Sequence, residues 1–286
     1  MKIVSSPAEI QTLAQEFRSK GLKIGLVPTM GWFHEGHLSL MRRARQSADR
    51  VIVTLFVNPI QFGPNEDLDS YPHDIDRDCR HAEKNGVDVV FAPEKSSMYS
   101  QGFASFVSVN ALTSSLCGAS RPGHFDGVTT VVAKLFNLTL PHLAVFGEKD
   151  FQQLAVIRKM VQDLDFPIEI IGHPIVREKN GLAMSSRNTY LHSDEMNAAL
   201  SLSQSIGAAQ KAIKSDDSLM VTVEGLKELV RKVITEHPAC EVDYIEIVDK
   251  NTLDFCTHLS LQSQLVLAVK INNRIRLIDN ALLMDF

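Results

Sequence analysis

The sequence predicts an α/β protein with a doubly wound parallel sheet, followed by a smaller C-terminal α+β domain. Two observations predict the sheet. Short apolar runs at residues 23–27, 50–58, 87–92, 143–146 and 168–176 alternate with stretches of helical period, the order that builds strand-helix-strand units. Two of those runs, RVIVTLFVN (50–58) and VDVVFA (87–92), are almost uninterrupted by polar residues, as expected of strands covered on both faces. A third observation sets the second domain apart: beyond residue 176 the alternation gives way to two helices and then three strands. The predicted domains are therefore 1–176 and 177–286, the second expected to close over the active site.

The first helix is predicted over 7–20, starting near Ser6, with Ile10, Leu13, Ala14 and Phe17 on one stripe and Gly21 at its end. Proline at the start, acidic residues in the first turn and Gly86 just past the end delimit a helix over 72–85, with Ile75, Cys79 and Ala82 facing inward. Periodicity weakens over 93–122, where 106–109 reads as an edge strand. The stretch leads to RPGHF (121–125), whose Arg121 and His124 would add positive charge. A core helix follows over 125–140 with Val128, Val131, Val132, Leu135 and Phe136 on one stripe, ended by Pro141. The next helix, after residue 150, should bury Leu154, Ile157, Val161 and Leu164. In the second domain Ser193 is expected to cap a helix with Asp194 and Glu195 in its first turn. A further helix should run over 218–236, with strands at 242–248, 265–271 and 275–278.

A length of 286 residues, 44% hydrophobic and 22% charged, is that of an ordinary globular protein. The net charge of −5 argues against a nucleic-acid partner, so an anionic substrate would have to be attracted by local groups. Cys79, Cys117, Cys240 and Cys256 lack metal-site spacing and are too sparse for a disulfide framework, which points to a reducing cytoplasm. The first residues lack the apolar core of a signal peptide, and no stretch approaches the ~18 apolar residues of a membrane span.

The candidate site lies at KIGLVPTMGWFHEGHLS (23–39), where an apolar strand breaks at Pro28 and Gly31 and a helix opens. The unpaired N–H groups and positive end of a helix N-terminus hold phosphate. His34 and His37 share a face there, and Gly36 lets a ligand approach the backbone. An i,i+3 histidine pair also serves as ordinary surface or core residues, or as metal ligands. The metal reading is the weaker one, because no cluster nearby completes a site. Asn58 and Gln61 follow a strand end at the rim where open α/β sheets bind ligands. GEKD (147–150) repeats the strand-to-helix arrangement. Lys149 is a poor choice at a helix start unless an anion offsets the dipole, whereas Asp150 either favours the helix start or holds Mg²⁺. NGLAMSSRNTYL (180–191) reads as a mobile loop with an Asn-Gly turn, whose Ser185, Ser186 and Arg187 suit phosphate oxygens.

PTMGWFHEGH (28–37), FVNPIQF (56–62), EDLDSYP (66–72), RPGHF (121–125), FGEKDFQQ (146–153) and AMSSRNTYL (183–191), in this order, resemble the pantoate–β-alanine ligase family, nucleotidyltransferases with a His-x-Gly-His signature. The resemblance runs through most of the chain. It implies a Rossmann-like first domain and the ATP-dependent condensation of (R)-pantoate with β-alanine, through a pantoyl adenylate, to pantothenate, AMP and pyrophosphate. It also implies an ATP site of Met30, Gly31, Trp32, Phe33, His34, Glu35, Gly36 and His37, with Gly147, Glu148, Lys149, Asp150, Val176, Met184, Ser185, Ser186 and Arg187. His37 would be catalytic with His34, Lys149 and Arg187 assisting, Gln61 and Gln153 would bind pantoate with Asn58 supporting, and Asp150 would contact Mg²⁺. The family further implies a homodimer. It commonly carries Glu at the position of Cys117 and often a basic residue at that of Asp126. The alternative functions are an adenylyltransferase acting on a phosphorylated acceptor, and a nucleotide-sensing module without chemistry; a phosphorylated acceptor would call for more Arg or Lys than Gln61 and Gln153 supply.

Overall fold

The computed structural model describes residues 1–64, 66–215 and 221–284 and divides them into two units. One comprises residues 1–148 and 153–174; the other comprises 149–152 and residues 175 onward.

The first unit is a six-stranded parallel sheet in the order β1-β4-β3-β2-β5-β6. In chain order its elements are β1 (Lys2–Val4), α1 (Pro7–Ser19), β2 (Ile24–Val27), α2 (Glu35–Ser47), β3 (Arg50–Thr54), α3 (Ile75–Lys84) and β4 (Val89–Phe91). Then come two short helices, α4 (Lys95–Met98) and α5 (Leu116–Ser120), followed by α6 (His124–Thr139), β5 (Leu143–Gly147), α7 (Phe151–Asp163), whose first two residues group with the second unit, and β6 (Glu169–His173). Side chains alternate across each strand, so Val27, Val51, Val53, Val90, Leu143 and Val145 pack with Leu40, Met41 and Ala44 of α2 and Cys79 and Ala82 of α3. From β2 the chain winds through β3 to β4 on one side, and later enters β5 on the other. The switch point therefore lies between the C-terminal ends of β2 and β5, where open α/β sheets bind ligands.

The structure corrects several predicted elements. β3 ends at Thr54, four residues before the predicted end: the Leu55 N–H still bonds the Phe91 carbonyl of β4, but the Phe56 N–H goes to the Thr29 carbonyl and Pro59–Gln61 forms a 3-10 turn. No strand forms at 106–109: the Val107 N–H donates to Thr130 Oγ1 and its carbonyl accepts from Thr129, so α6 satisfies this backbone. β6 stops at His173, since Pro174 has no N–H to donate. On α3 the buried face is Asp78, Cys79 and Ala82, while Ile75 is 53% exposed. Leu164 lies past the end of α7 and is exposed, and Met160 fills the inward position.

The second unit packs α8 (Met196–Lys214) and α9 (Val223–Thr235) with the antiparallel sheet β7-β8-β9, of Cys240–Asp249, Ser263–Ile271 and Ile275–Leu282. Leu202, Ile206, Leu226, Val230 and Ile234 from the helices meet Ile245, Ile247, Leu265, Leu267 and Val269 from the strands. α8 opens at Met196 with Glu195 at its cap position in place of Ser193. Thr222 caps α9 by accepting the Gly225 N–H, and the predicted start at 218 lies outside the described residues.

Candidate functional site

In the first unit, β2 hands over to α2 through a turn fixed from three sides. Thr29 Oγ1 donates to the Thr54 carbonyl at 2.5 Å and accepts from the Gly31 N–H at 3.2 Å. Gly31 and Trp32 both have left-handed backbone, with φ of 94° and 53°. The positive φ favours glycine at position 31, and a Cβ there would also crowd Asp78 Oδ2 at 3.1 Å. Asp78, 1% exposed, accepts the Trp32 and Phe33 N–H groups at 2.6 and 2.8 Å. Arg77 donates to the Phe33 carbonyl at 2.8 Å, and its guanidinium lies 4.7 Å from the Trp32 ring centre. Burial pushes the Asp78 carboxyl above its ordinary range, against the downward pull of the two N–H groups and Arg77.

The chain leaves this turn at His34, which is extended at the cap position of α2, and this sets two imidazoles at the helix start. The His34 and His37 ring centres are 4.1 Å apart. His37 Nδ1 accepts the His34 backbone N–H at 3.4 Å, which places the proton of the neutral His37 ring on Nε2. Both rings are half-buried and Glu35 is exposed. Here an anion would meet a helix end and an imidazole N–H donor.

Asn58 and Gln61 sit at the rim in the same unit. Asn58 is buried; its Nδ2 donates to the Gln61 Oε1 and to the Gly127 carbonyl, each at 3.0 Å. Gln61 Nε2 donates to Met30 Sδ at 3.2 Å, which joins Gln61 to the Met30–His37 segment. Arg121 and His124 act differently from the sequence expectation. Arg121 is paired with Glu66, its Nε donating at 2.6 Å, and it donates to His124 Nε2 at 3.0 Å. The His124 proton is then on Nδ1, which donates to the Gln61 carbonyl at 2.8 Å. Burial would raise the Glu66 carboxyl, but Arg121 holds it below its ordinary range, so Arg121's charge is spent on Glu66 and the pair brace the Gln61 turn. At the end of β5, Gly147 pairs with His173 and the Glu148 N–H donates to the His173 carbonyl at 2.9 Å. Gln153, on α7, is half-buried.

The second unit brings together the other candidate groups. The segment 176–184 is a small hairpin around Asn180-Gly181: the Met184 N–H donates to the Val176 carbonyl at 2.9 Å and the Glu178 N–H to the Leu182 carbonyl at 2.8 Å. Ser185 Oγ accepts the Arg187 N–H and caps the 3-10 turn Ser186–Tyr190. Ser186 is buried, whereas Met184, Ser185 and Arg187 are half-buried. Asp279 of β9 holds Arg177 with two hydrogen bonds of 2.7 and 2.9 Å, and Arg177 donates to the Gly181 carbonyl at 3.1 Å. The next residue, Asn280, donates to the Lys149 carbonyl at 3.0 Å. Lys149 is half-buried, and Asp150 is exposed immediately before α7.

Sequence reasoning missed Asp78, Tyr99, Asp279 and Asn280. Asp78 carried a faint signal, a carboxylate beside the apolar stripe of its helix; the others carried none.

Fold and site together define a Rossmann-like α/β protein with a histidine-flanked helix start at the sheet's switch point. The model of the family Pantoate-beta-alanine ligase matches residues 2–282. Curated relatives include the pantothenate synthetases of Geobacter sulfurreducens, 50% identical over 99% of both chains, and Heliobacterium modesticaldum, 50% identical over 98% of both. Among solved structures, pantothenate synthetase from Thermus thermophilus superposes with a TM-score of 0.92 at 40% identity over 99% of each chain. The pantoate-beta-alanine ligase of Francisella tularensis, complexed with beta-gamma ATP and beta-alanine, gives 0.81 at 33% identity over 100% of this chain and 99% of that one. The chain belongs to the pantoate-beta-alanine ligase family and is a ligase.

Proposed function

We propose that the chain joins (R)-pantoate to β-alanine at the expense of ATP, forming pantothenate, AMP and pyrophosphate through a pantoyl adenylate. The family match over residues 2–282 carries this reading. The histidine-lined start of α2, the groups on Lys149 and Arg187, and the Francisella relative's complex with beta-gamma ATP and beta-alanine support it.

In the first step a pantoate carboxylate oxygen bonds to the α-phosphorus of ATP, and the bond from that phosphorus to the departing oxygen breaks with its electron pair on pyrophosphate. In the second, the β-alanine amine adds to the acyl carbon, AMP leaves with the C–O electron pair, and the nitrogen loses a proton. This chemistry needs positioning and charge stabilisation, without a covalent enzyme intermediate. Met30–His37 contacts the nucleotide. His37 donates from Nε2 to phosphate oxygens, His34 assists, and Lys149 and Arg187 offset the charge that builds on the phosphates. Gly147, Glu148, Val176, Met184, Ser185 and Ser186 complete the nucleotide contacts. Gln61 and Gln153 bind pantoate, with Asn58 behind Gln61.

Mg²⁺ fits as a companion of the nucleotide. No group of three or more His, Cys, Asp or Glu that could hold a metal is assembled among the described residues, and Asp150 offers one exposed carboxylate. Mg²⁺ is commonly bound through one or two carboxylates plus substrate phosphates and water, and would neutralise phosphate charge here. The reading includes a cytoplasmic homodimer.

Nucleotide product analysis tests the proposal. With ATP, Mg²⁺, pantoate and β-alanine the product should be AMP, stoichiometric with pantothenate. Accumulation of ADP would contradict it.

A further inference from the structure

Gln61 ends in an amide, and whether it offers a substrate an acceptor oxygen or a donor N–H depends on which way that amide is turned. A backbone carbonyl and a phenol hydroxyl settle the matter together. The Gly127 oxygen can only accept, and it lies 3.0 Å from Asn58 Nδ2, so the Asn58 nitrogen must face it. The Asn58 oxygen then faces Tyr99, whose hydroxyl donates to Oδ1 at 2.8 Å. The second Asn58 N–H is left for Gln61, which must present Oε1 to it, 3.0 Å away. The Gln61 nitrogen is thereby turned away from Asn58, with one N–H on Met30 Sδ.

Two features keep the chain of bonds in one state. Burial pushes the Tyr99 phenol far above its ordinary range, so it remains a hydroxyl donor. Gly127 sits so close to the turn that a Cβ would stand 2.6 Å from the Ile60 carbonyl oxygen and 2.7 Å from the Gln61 nitrogen and Cα, so α6 reaches this turn only through glycine.

We propose that Tyr99, through Asn58, is a positioning residue that locks Gln61 as a hydrogen-bond donor, so that this site selects an acid carrying an acceptor oxygen at that point. The inference rests on Gln61 binding pantoate. It also gives the irregular stretch between β4 and α5 a task, since Tyr99 stands just after α4. Removing the Tyr99 hydroxyl leaves Asn58 Oδ1 without its donor, so the Gly127 carbonyl alone must hold the Asn58 amide, and Gln61 presents its N–H to substrate less firmly.

Tyr99→Phe keeps the ring and tests the relay in the full-length enzyme. In protein labelled with ¹⁵N at glutamine side chains, the Gln61 amide pair, assigned by its loss in Gln61→Ala, should shift in Tyr99→Phe. The KM for pantoate should rise roughly 5- to 100-fold, and the KM for ATP should change less than about twofold. An unmoved Gln61 signal overturns the proposal. So does an unchanged pantoate KM in Tyr99→Phe beside a raised one in Gln61→Ala. An unchanged pantoate KM in Gln61→Ala itself would overturn the reading of Gln61 on which the proposal rests.

Discussion

Asn280 donates its side-chain N–H to the carbonyl of Lys149, 131 residues earlier, at a distance of 3.0 Å. Its neighbour Asp279 grips Arg177, which in turn holds the Gly181 carbonyl. Two consecutive residues of β9 therefore hold the backbone beside two groups of residues proposed to contact the nucleotide, Lys149 and Asp150 in one and Val176 and residues 184–187 in the other. Both Asn280 and its partner Gln264, which donates to Asn280 Oδ1 at 2.8 Å, are buried. Replacing Asn280 by Ala should leave the Lys149 carbonyl unsatisfied and cost about 1–3 kcal/mol. Steady-state kinetics should show the KM for ATP raised with the KM for pantoate little changed. Equal effects on both substrates would count against a role confined to the nucleotide.

Asp78 makes a comparable connection in the first unit, since one carboxylate accepts both N–H groups of the strained Trp32–Phe33 turn. An amide cannot accept both through two oxygens, so Asp78→Asn should destabilise the protein by about 1.5–3 kcal/mol. It should also re-aim His34 and His37 and lower the adenylation rate. Denaturant unfolding and single-turnover rates read the two effects separately. A full adenylation rate in a folded Asp78→Asn protein would show that the turn does not set the histidines.

Glu195 supplies a pH dependence. Its carboxylate accepts the His192 N–H at 2.9 Å and is bonded by Asn272 and Arg274, which hold its pKa down to about 2 from an ordinary 4.5. Because the folded value is the lower, the stabilisation is present above the ordinary value and is lost as pH falls through the folded one. Glu195→Gln should therefore lower the melting temperature at pH 7, and the difference from the unaltered protein should narrow steadily below about pH 4. A constant difference across that range would disprove the linkage.

His37→Ala should fold normally and lose roughly 10²- to 10⁴-fold in adenylate formation, the range of one removed charge-stabilising or proton-donating group. Rapid-quench measurement of the adenylate checks this. Near-unaltered rates would remove His37 from the chemistry.

Much of the fold was legible because its signals are local. The runs that became β2, β4 and β5 are continuous and apolar, and α1 and α3 carry proline or capping residues at their starts. β1 escaped notice because three residues carry no period; it exists by pairing with β4, 85 or more residues away. The strand expected at 106–109 failed for a complementary reason: its backbone is satisfied by two threonines of α6, a partner no local pattern reveals. The histidine turn and the rim residues Asn58 and Gln61 were visible as residue types at strand ends, and Asn180-Gly181 as a turn pair, though in sequence the hairpin around it reads as a loop. The groups that orient them were hidden, since Tyr99, Asp279 and Asn280 act through side-chain bonds across long sequence separations.

Pyrophosphate exchange tests the central claim most directly, because a two-step reaction through a mixed anhydride must form its first product before the amine is needed. With ATP, Mg²⁺ and pantoate but no β-alanine, the enzyme should incorporate labelled pyrophosphate into ATP, and adding β-alanine should start steady release of AMP. Absence of pantoate-dependent exchange, or exchange that only a phosphorylated acceptor supports, would contradict the account.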